Sequence, residues 1–248
     1  MKISLPNPMC DAHVHFGQCG LTGLRFGVQD VERLIRRFGI EKMLLFPFDM
    51  ELHSSNCQVL RLAKHISQVT PLLRVPSEID DEFLTLLTHS LDIIGGLKFH
   101  PSMTRKPITD ESLTPLFRML EEHGKIALIH CGRWEQVSSF RFVSMRASLH
   151  PKMKFIMAHM GGNELANTQG AILDAKEHPN IYLETSNCRI GLMIRKAVSE
   201  MGDDRILFGS DTPWGCISAN TCTVLDAGLS IESQGKIMHD NLQGICGE

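Results

Sequence analysis

Short, nearly continuous apolar runs recur along the chain at residues 9–14, 42–46, 71–75, 93–99, 125–129, 154–158, 181–183 and 205–208. Runs of this kind predict eight β-strands buried on both faces, because a half-buried strand would alternate apolar with polar residues. Between them the spacing changes to that of a helix. Val31, Leu34, Ile35 and Phe38 form one apolar stripe, Leu84, Leu87 and Leu91 another, and Leu113, Leu116, Phe117 and Leu120 a third. Strand starts lie about thirty residues apart, the size of one strand-plus-helix unit, and this alternation predicts parallel strands joined by helical crossovers. Eight units fit the length, either as a closed barrel or as an open, doubly wound sheet.

Composition narrows the class. The chain has 248 residues, 43% of them hydrophobic and 21% charged, enough for a sizeable core without disulfides. Barrels of this type run to roughly 250 residues as one unit, so residues 1–248 are expected to form a single domain. A net charge of -3 argues against a polyanionic partner, and nucleic acid is not expected. Arg33, Arg36 and Arg37 read as a solvated helix face. Pro6 and Pro8 interrupt the region where a secretory signal needs an apolar core, and no run approaches the ~18 apolar residues of a membrane span. The expectation is a soluble, cytoplasmic protein, with homo-oligomerisation left open. Its eight cysteines contain no CxxC pair and read as reduced thiols. No Gly-rich phosphate-binding signature implies a nucleotide cofactor.

Polar residues at strand ends choose between the two sheets. The first run carries Asp11-Ala12-His13-Val14-His15, the fifth ends in His130-Cys131-Gly132, the sixth in His159-Met160-Gly161-Gly162 and the eighth in Gly209-Ser210-Asp211. His13 and His15, two apart on a strand, share a face. In a closed parallel barrel all the carboxyl-terminal strand ends meet around one mouth, whereas an open sheet would keep the first and eighth strands apart from the fifth and sixth. Closure brings His13, His15, His130, His159 and Asp211 together. Such a set suits a divalent cation, zinc foremost, with manganese, iron or cobalt also accommodated.

The motifs DAHVH (11–15), GLKFHP (96–101), HCG (130–132), AHMGG (158–162) and FGSDTPW (208–214), with HDNLQGIC at 239–246, together resemble the amidohydrolase superfamily and its amidohydrolase-2 branch. The resemblance implies a somewhat distorted (β/α)8 TIM barrel with one or two metal ions at the C-terminal face of the strands. It implies His13, His15, His130 and Asp211 as metal ligands, with His159 either ligating a second ion or polarising a water. Asp211 and His159 would be the catalytic acid/base groups, the alternative for Asp211 being a helix N-cap before Pro213. Lys98 matches the position of a lysine that is carboxylated in binuclear members, but contact with substrate or a structural pairing is the favoured reading.

The remaining candidates lie near the expected mouth. His100 either contacts substrate or shapes the loop before Pro101. Arg133 and Trp214 follow ligand positions in strand-to-helix loops and would grip a substrate carboxylate and wall an apolar pocket. Glu184 either supports the ligands by hydrogen bonds or is exposed. His150 and His178, each before a proline, read as helix-end residues.

The branch includes hydrolases, hydratases and non-oxidative decarboxylases such as aminocarboxymuconate semialdehyde decarboxylase. The leading expectation is a metal-dependent hydrolase of an amide, ester or lactone of a small carboxylated molecule. The alternative is a metal-dependent decarboxylase of an unsaturated or aromatic acid. A metal-dependent deoxyribonuclease is disfavoured by charge and by lysine on the fourth strand, and a non-catalytic metal-binding barrel is the remaining reading.

Overall fold

A computed structural model describes residues 8–48, 52–132 and 135–246. Nine strands form one sheet: β1 Met9–Gln18, β2 Arg25–Phe26, β3 Ile40–Pro47, β4 Val69–Arg74, β5 Gly96–Phe99, β6 Ile126–Ile129, β7 Phe155–Met157, β8 Ile181–Glu184 and β9 Ile206–Leu207. The order is β2-β1-β3-β4-β5-β6-β7-β8-β9, with every pair parallel except β1 and β2. The sheet curls until its ends meet, since Ala12 N–H donates to Phe208 O at 2.8 Å and His15 N–H to Thr212 O at 2.8 Å. Eight parallel strands thus make the expected α/β barrel. The two-residue β2, too short to show a period in sequence, pairs with the far end of β1.

Two apolar layers follow from the strands' two buried faces. The outer layer packs strands against helices: Val31, Leu34 and Phe38 of α1 (Val28–Phe38) belong to it, as do Phe117 and Leu120 farther along the chain. Arg33 and Arg36 of α1, with side chains 67% and 71% exposed, form the solvated face. The inner layer fills the barrel with Ala12, Phe46, Leu72, Leu128, Ile156 and Leu207. Its floor is a short closing helix, Asn241–Ile245, whose Leu242 and Ile245 join the same cluster. Lys154, just before β7, donates from Nζ to Ile245 O at 3.3 Å, which places this helix at the end opposite the strand C-termini.

β1 changes phase where the chemistry begins. Cys10 and Ala12 face the inner layer, yet Val14 and Phe16 belong to the outer one. Uninterrupted alternation would keep Ala12 and Val14 on one face. The register against β3 shifts between Asp11 and Val14, and this irregularity turns His13 and His15 inward at the mouth. Among the described residues no helix is long and apolar enough to cross a membrane.

Leu242, 1% exposed beneath the inner layer, should be costly to truncate. Leu242→Ala is expected to lose about 2–5 kcal/mol of stability in urea denaturation while leaving metal content unchanged.

Candidate metal centre and active site

The mouth collects the residues that the strand ends carry. His13 Nε2 and His15 Nε2 lie 3.2 and 3.0 Å from the same Asp211 oxygen, Oδ1. Asp211 Oδ2 accepts from Asn187 Nδ2 at 2.6 Å. Behind His13 stands Glu184, 0% exposed, whose Oε2 lies 2.9 Å from His13 Nδ1. A carboxylate there requires the proton on Nδ1, which leaves the Nε2 lone pair facing Asp211. Glu184 is therefore buried and supportive, and its alternative as an exposed residue does not hold.

From Glu184 the same logic runs outward. Ser186 donates from its backbone N–H and, at 2.8 Å, from its hydroxyl to the Glu184 carboxylate. The hydroxyl is thereby left to accept from His159 Nδ1 at 2.8 Å. His159 Nε2 then carries a lone pair and accepts from His130 Nδ1, 3.1 Å away. His130 Nε2 ends the chain as a buried lone pair with no hydrogen-bond partner. One anionic group thus sets the tautomers of three imidazoles in series.

Electrostatics agree with a ligand cluster. Burial lowers the pKa of His13, His15, His100, His130 and His159, with the Lys98 charge the next cause for His13. Burial alone would raise the Asp211 carboxyl, but His13 and the hydrogen bond with His15 hold it well below the usual carboxylate range. Neutral imidazoles facing an ionised carboxylate are the protonation states that metal binding demands. Among the described residues two groups bring three ligand atoms within 4.8 Å of one another: His13, His15 and Asp211, and His13, His159 and Glu184. The first shares Asp211 Oδ1 and could hold a divalent cation once His15 Nε2, which donates to that oxygen, gives up its proton, while Glu184 serves His13 from behind. His130 belongs to neither group: its Nδ1 is turned to His159, and its Nε2 is buried without a hydrogen-bond partner.

The backbone at the mouth is strained. Non-glycine residues His159, Asn187 and Asp211 all sit at φ 57°, in the left-handed region that costs of order 1 kcal/mol or more per residue. Each follows a barrel strand, and the turn aims its side chain across the opening. Asp211 caps no helix: the next one, Ile217–Leu225, begins after Cys216. Close approach matters as well. A Cβ on Gly209 would overlap the Glu184 carboxylate, and one on Gly132 would lie 2.7 Å from Gly162 Cα.

Above the cluster opens a cavity of about 550 Å³, lined by His13, His15, His130, His159 and Asp211 together with Phe48, Arg74, Lys98, His100, Arg105, Asn187 and Trp214, among others. Lys98, 1% exposed, lies over Phe46, with Nζ 4.8 Å from the ring centroid. Burial draws its ammonium down to about 8. His100 lines the cavity, stacks on His130 at 4.0 Å between centroids and precedes the Pro101 helical turn. Trp214, 47% exposed, forms the rim beside Phe48. Arg133 lies outside the described residues. His150 binds Glu121 and His178 the Asp174 carbonyl, both away from the mouth. Cys131 points into the outer layer. Sequence reasoning passed over Arg74, Ser186 and Asn187, although each is a polar residue at or just past a strand end, the signal that found the others.

The amidohydrolase family model matches residues 56–241. The chain belongs to the amidohydrolase family. Solved structures share its fold. Against 2,6-dihydroxybenzoate decarboxylase from Rhizobium the TM-score is 0.77 at 14% identity, covering 96% of this chain and 98% of the other. A dihydroxybenzoic acid decarboxylase from Polaromonas sp. JS666, with bound manganese and the inhibitor 2-nitroresorcinol, gives 0.76 at 15% identity, covering 97% of each chain. A putative 2-pyrone-4,6-dicarboxylic acid hydrolase from Pseudomonas putida gives 0.72 at 14% identity, covering 96% of this chain and 97% of the other. No curated protein matches the sequence.

Because Glu184 fixes the His13 tautomer, Glu184→Gln is expected to weaken metal binding about 10–100-fold, measured by competition with a chromophoric chelator. Gly209→Ala, which displaces the same carboxylate, should weaken it in the same direction.

Proposed function

We propose that this amidohydrolase-family protein is a metal-dependent decarboxylase of a small aromatic or unsaturated carboxylic acid. The observation that carries the reading is the composition of the cavity. Its floor holds an ionised Asp211 among neutral imidazoles, one wall carries Lys98 and Arg74, and the rim is aromatic. A planar acid is the ligand class that such surfaces complement. The decarboxylase function of two proteins of similar fold, one with manganese bound, supports this choice over hydrolysis.

The residues that would hold the ion are His13, His15 and Asp211, with His130 as a further ligand, and the N,O donor set accommodates zinc and manganese alike. When bound, a divalent cation supplies Lewis-acid polarisation of a substrate oxygen. The chain does the rest. Phe48 and Trp214 wall the ring plane and exclude water from it. Lys98 and His100 contact the acid. Loss of carbon dioxide leaves an electron pair on carbon, which must take up a proton. Asp211, ionised at rest, would first accept a proton from a hydroxyl of the substrate or from water and then deliver it to that carbon, while Asn187 Nδ2 holds the carboxylate in place through Oδ2. His159, fixed by Ser186, is the second titratable group on the floor.

Hydrolysis is the second reading, favoured by the fold likeness to the putative pyrone-dicarboxylic acid hydrolase. It would use Asp211 as the base for an attacking water. The two part on products. Metal-replete protein given a panel of hydroxybenzoates and unsaturated acids should release carbon dioxide. Incorporation of oxygen-18 from water into an opened lactone, ester or amide, with no carbon dioxide, would install hydrolysis instead.

His13→Ala and Asp211→Asn are each expected to lower turnover by ~100-fold or more with an unchanged circular dichroism spectrum. Dialysis against a chelator should abolish turnover, and added zinc or manganese should restore it. Activity indifferent to chelation would remove the metal from the mechanism.

A further inference from the structure

The seam that closes the barrel is out of step by one residue. Ala12 N–H reaches Phe208 O and His15 N–H reaches Thr212 O, so three steps along β1 are matched by four along the segment that follows β9. Between these two bonds the Ser210 N–H turns to a side chain: it donates to Asp11 Oδ1 at 2.9 Å, across 199 positions of sequence. The Ser210 hydroxyl reaches His13 O at a longer 3.5 Å.

The same carboxyl oxygen serves β1 itself. His13 N–H donates to Asp11 Oδ1 at 3.0 Å, at the point where the β1–β3 register shifts. One such oxygen has lone pairs for two donors, and here both donors are backbone amides of the segments that carry the ligands. His13 is one candidate ligand, and Ser210 directly precedes another, Asp211. Asp11 is 0% exposed, and its Oδ2 has no hydrogen-bond partner. Burying a carboxyl group for two backbone bonds is costly, and packing alone favours an apolar residue there. Glu184 fixes which nitrogen His13 offers; Asp11 fixes where its backbone stands.

We propose that Asp11 is the positioning residue of the metal centre, tying the backbone of His13 to that of Ser210 so that the β1 imidazoles and the Asp211 carboxylate stand at coordinating distance. The inference rests on the reading of His13, His15 and Asp211 as ligands of the ion. The two main-chain bonds of the seam lie on either side of this contact. Without it, the left-handed turn at Asp211, φ 57°, loses the restraint on the residue before it. Small displacements matter there, because a ligand atom moved by more than about 0.2 Å leaves the range of a metal bond. Asp11 itself takes no part in bond breaking.

Two measurements that need no turnover test this: backbone amide exchange by nuclear magnetic resonance on the metal-free protein, and zinc affinity by competition with a chromophoric chelator. In the wild type the His13 and Ser210 amides are expected to exchange slowly. Asp11→Ala should speed both by ~10-fold or more and weaken zinc binding ~10-fold or more. Asp11→Asn, which keeps an acceptor oxygen, should hold zinc within ~3-fold of the wild type. Three results would each overturn the inference: wild-type His13 and Ser210 amides that exchange as freely as exposed ones, a folded Asp11→Ala protein with wild-type zinc affinity, or an Asp11→Asn protein as impaired as Asp11→Ala. Should Asp11→Ala not fold, the wild-type exchange and the zinc affinity of Asp11→Asn, which must stay near the wild-type value, decide. A wild type that binds no zinc or manganese would discard the metal centre itself, whereas normal binding in Asp11→Ala would discard the role of Asp11 alone.

Discussion

The hydrogen bond between Glu184 and His13 is the contact on which the mouth of this barrel depends. A carboxylate with no solvent exposure is tolerable only if it is richly hydrogen-bonded, and Glu184 meets that requirement with His13, the Ser186 backbone and the Ser186 hydroxyl. Each of those donors is thereby fixed. His13 presents Nε2 toward Asp211, Ser186 turns its lone pairs to His159, and His159 in turn accepts from His130. His13, His159 and His130 are thus ordered by the protein's own contacts, and a pre-ordered donor set binds its cation with less entropy loss than one that must be arranged.

That order is obtained against the preferences of the chain. The register shift in β1 and the left-handed conformations of His159, Asn187 and Asp211 are unfavourable locally. Close-packed strands and two apolar layers hold them in place, with the closing helix under the inner layer. Strain of this kind concentrates where side chains must be aimed rather than packed. Gly209 shows the same pressure from the other direction, because only a residue without a side chain leaves room for the Glu184 carboxylate. The FGSD motif thus combines a candidate ligand, Asp211, with the space that the carboxylate behind His13 needs.

Legibility in the sequence tracks how local each signal is. All eight predicted strands lie where β1 and β3 through β9 are found, because strands buried on both faces must be written as apolar runs. β2 escaped because two residues carry no period. His13, His15, His159 and Asp211 do converge, His130 adjoins them, and Lys98, His100 and Trp214 line the cavity above. The sequence left Glu184 open between burial and exposure, and did not bring out Arg74, Ser186 or Asn187. Their importance lies in partners far away along the chain: Glu184 meets His13 across 171 positions, and Asn187 meets Asp211 across 24.

By itself, then, the sequence determined the alternation of strand and helix, the parallel barrel and the residue types gathered at its mouth, because periodicity and strand-end chemistry are properties of short segments. Tertiary structure decided which nitrogen His13, His159 and His130 each offer, that Glu184 is an internal brace, and that Lys98 and Arg74 line the same cavity. Those facts depend on distances between side chains of different strands. Only closure of the sheet fixes such distances, and no local pattern encodes them.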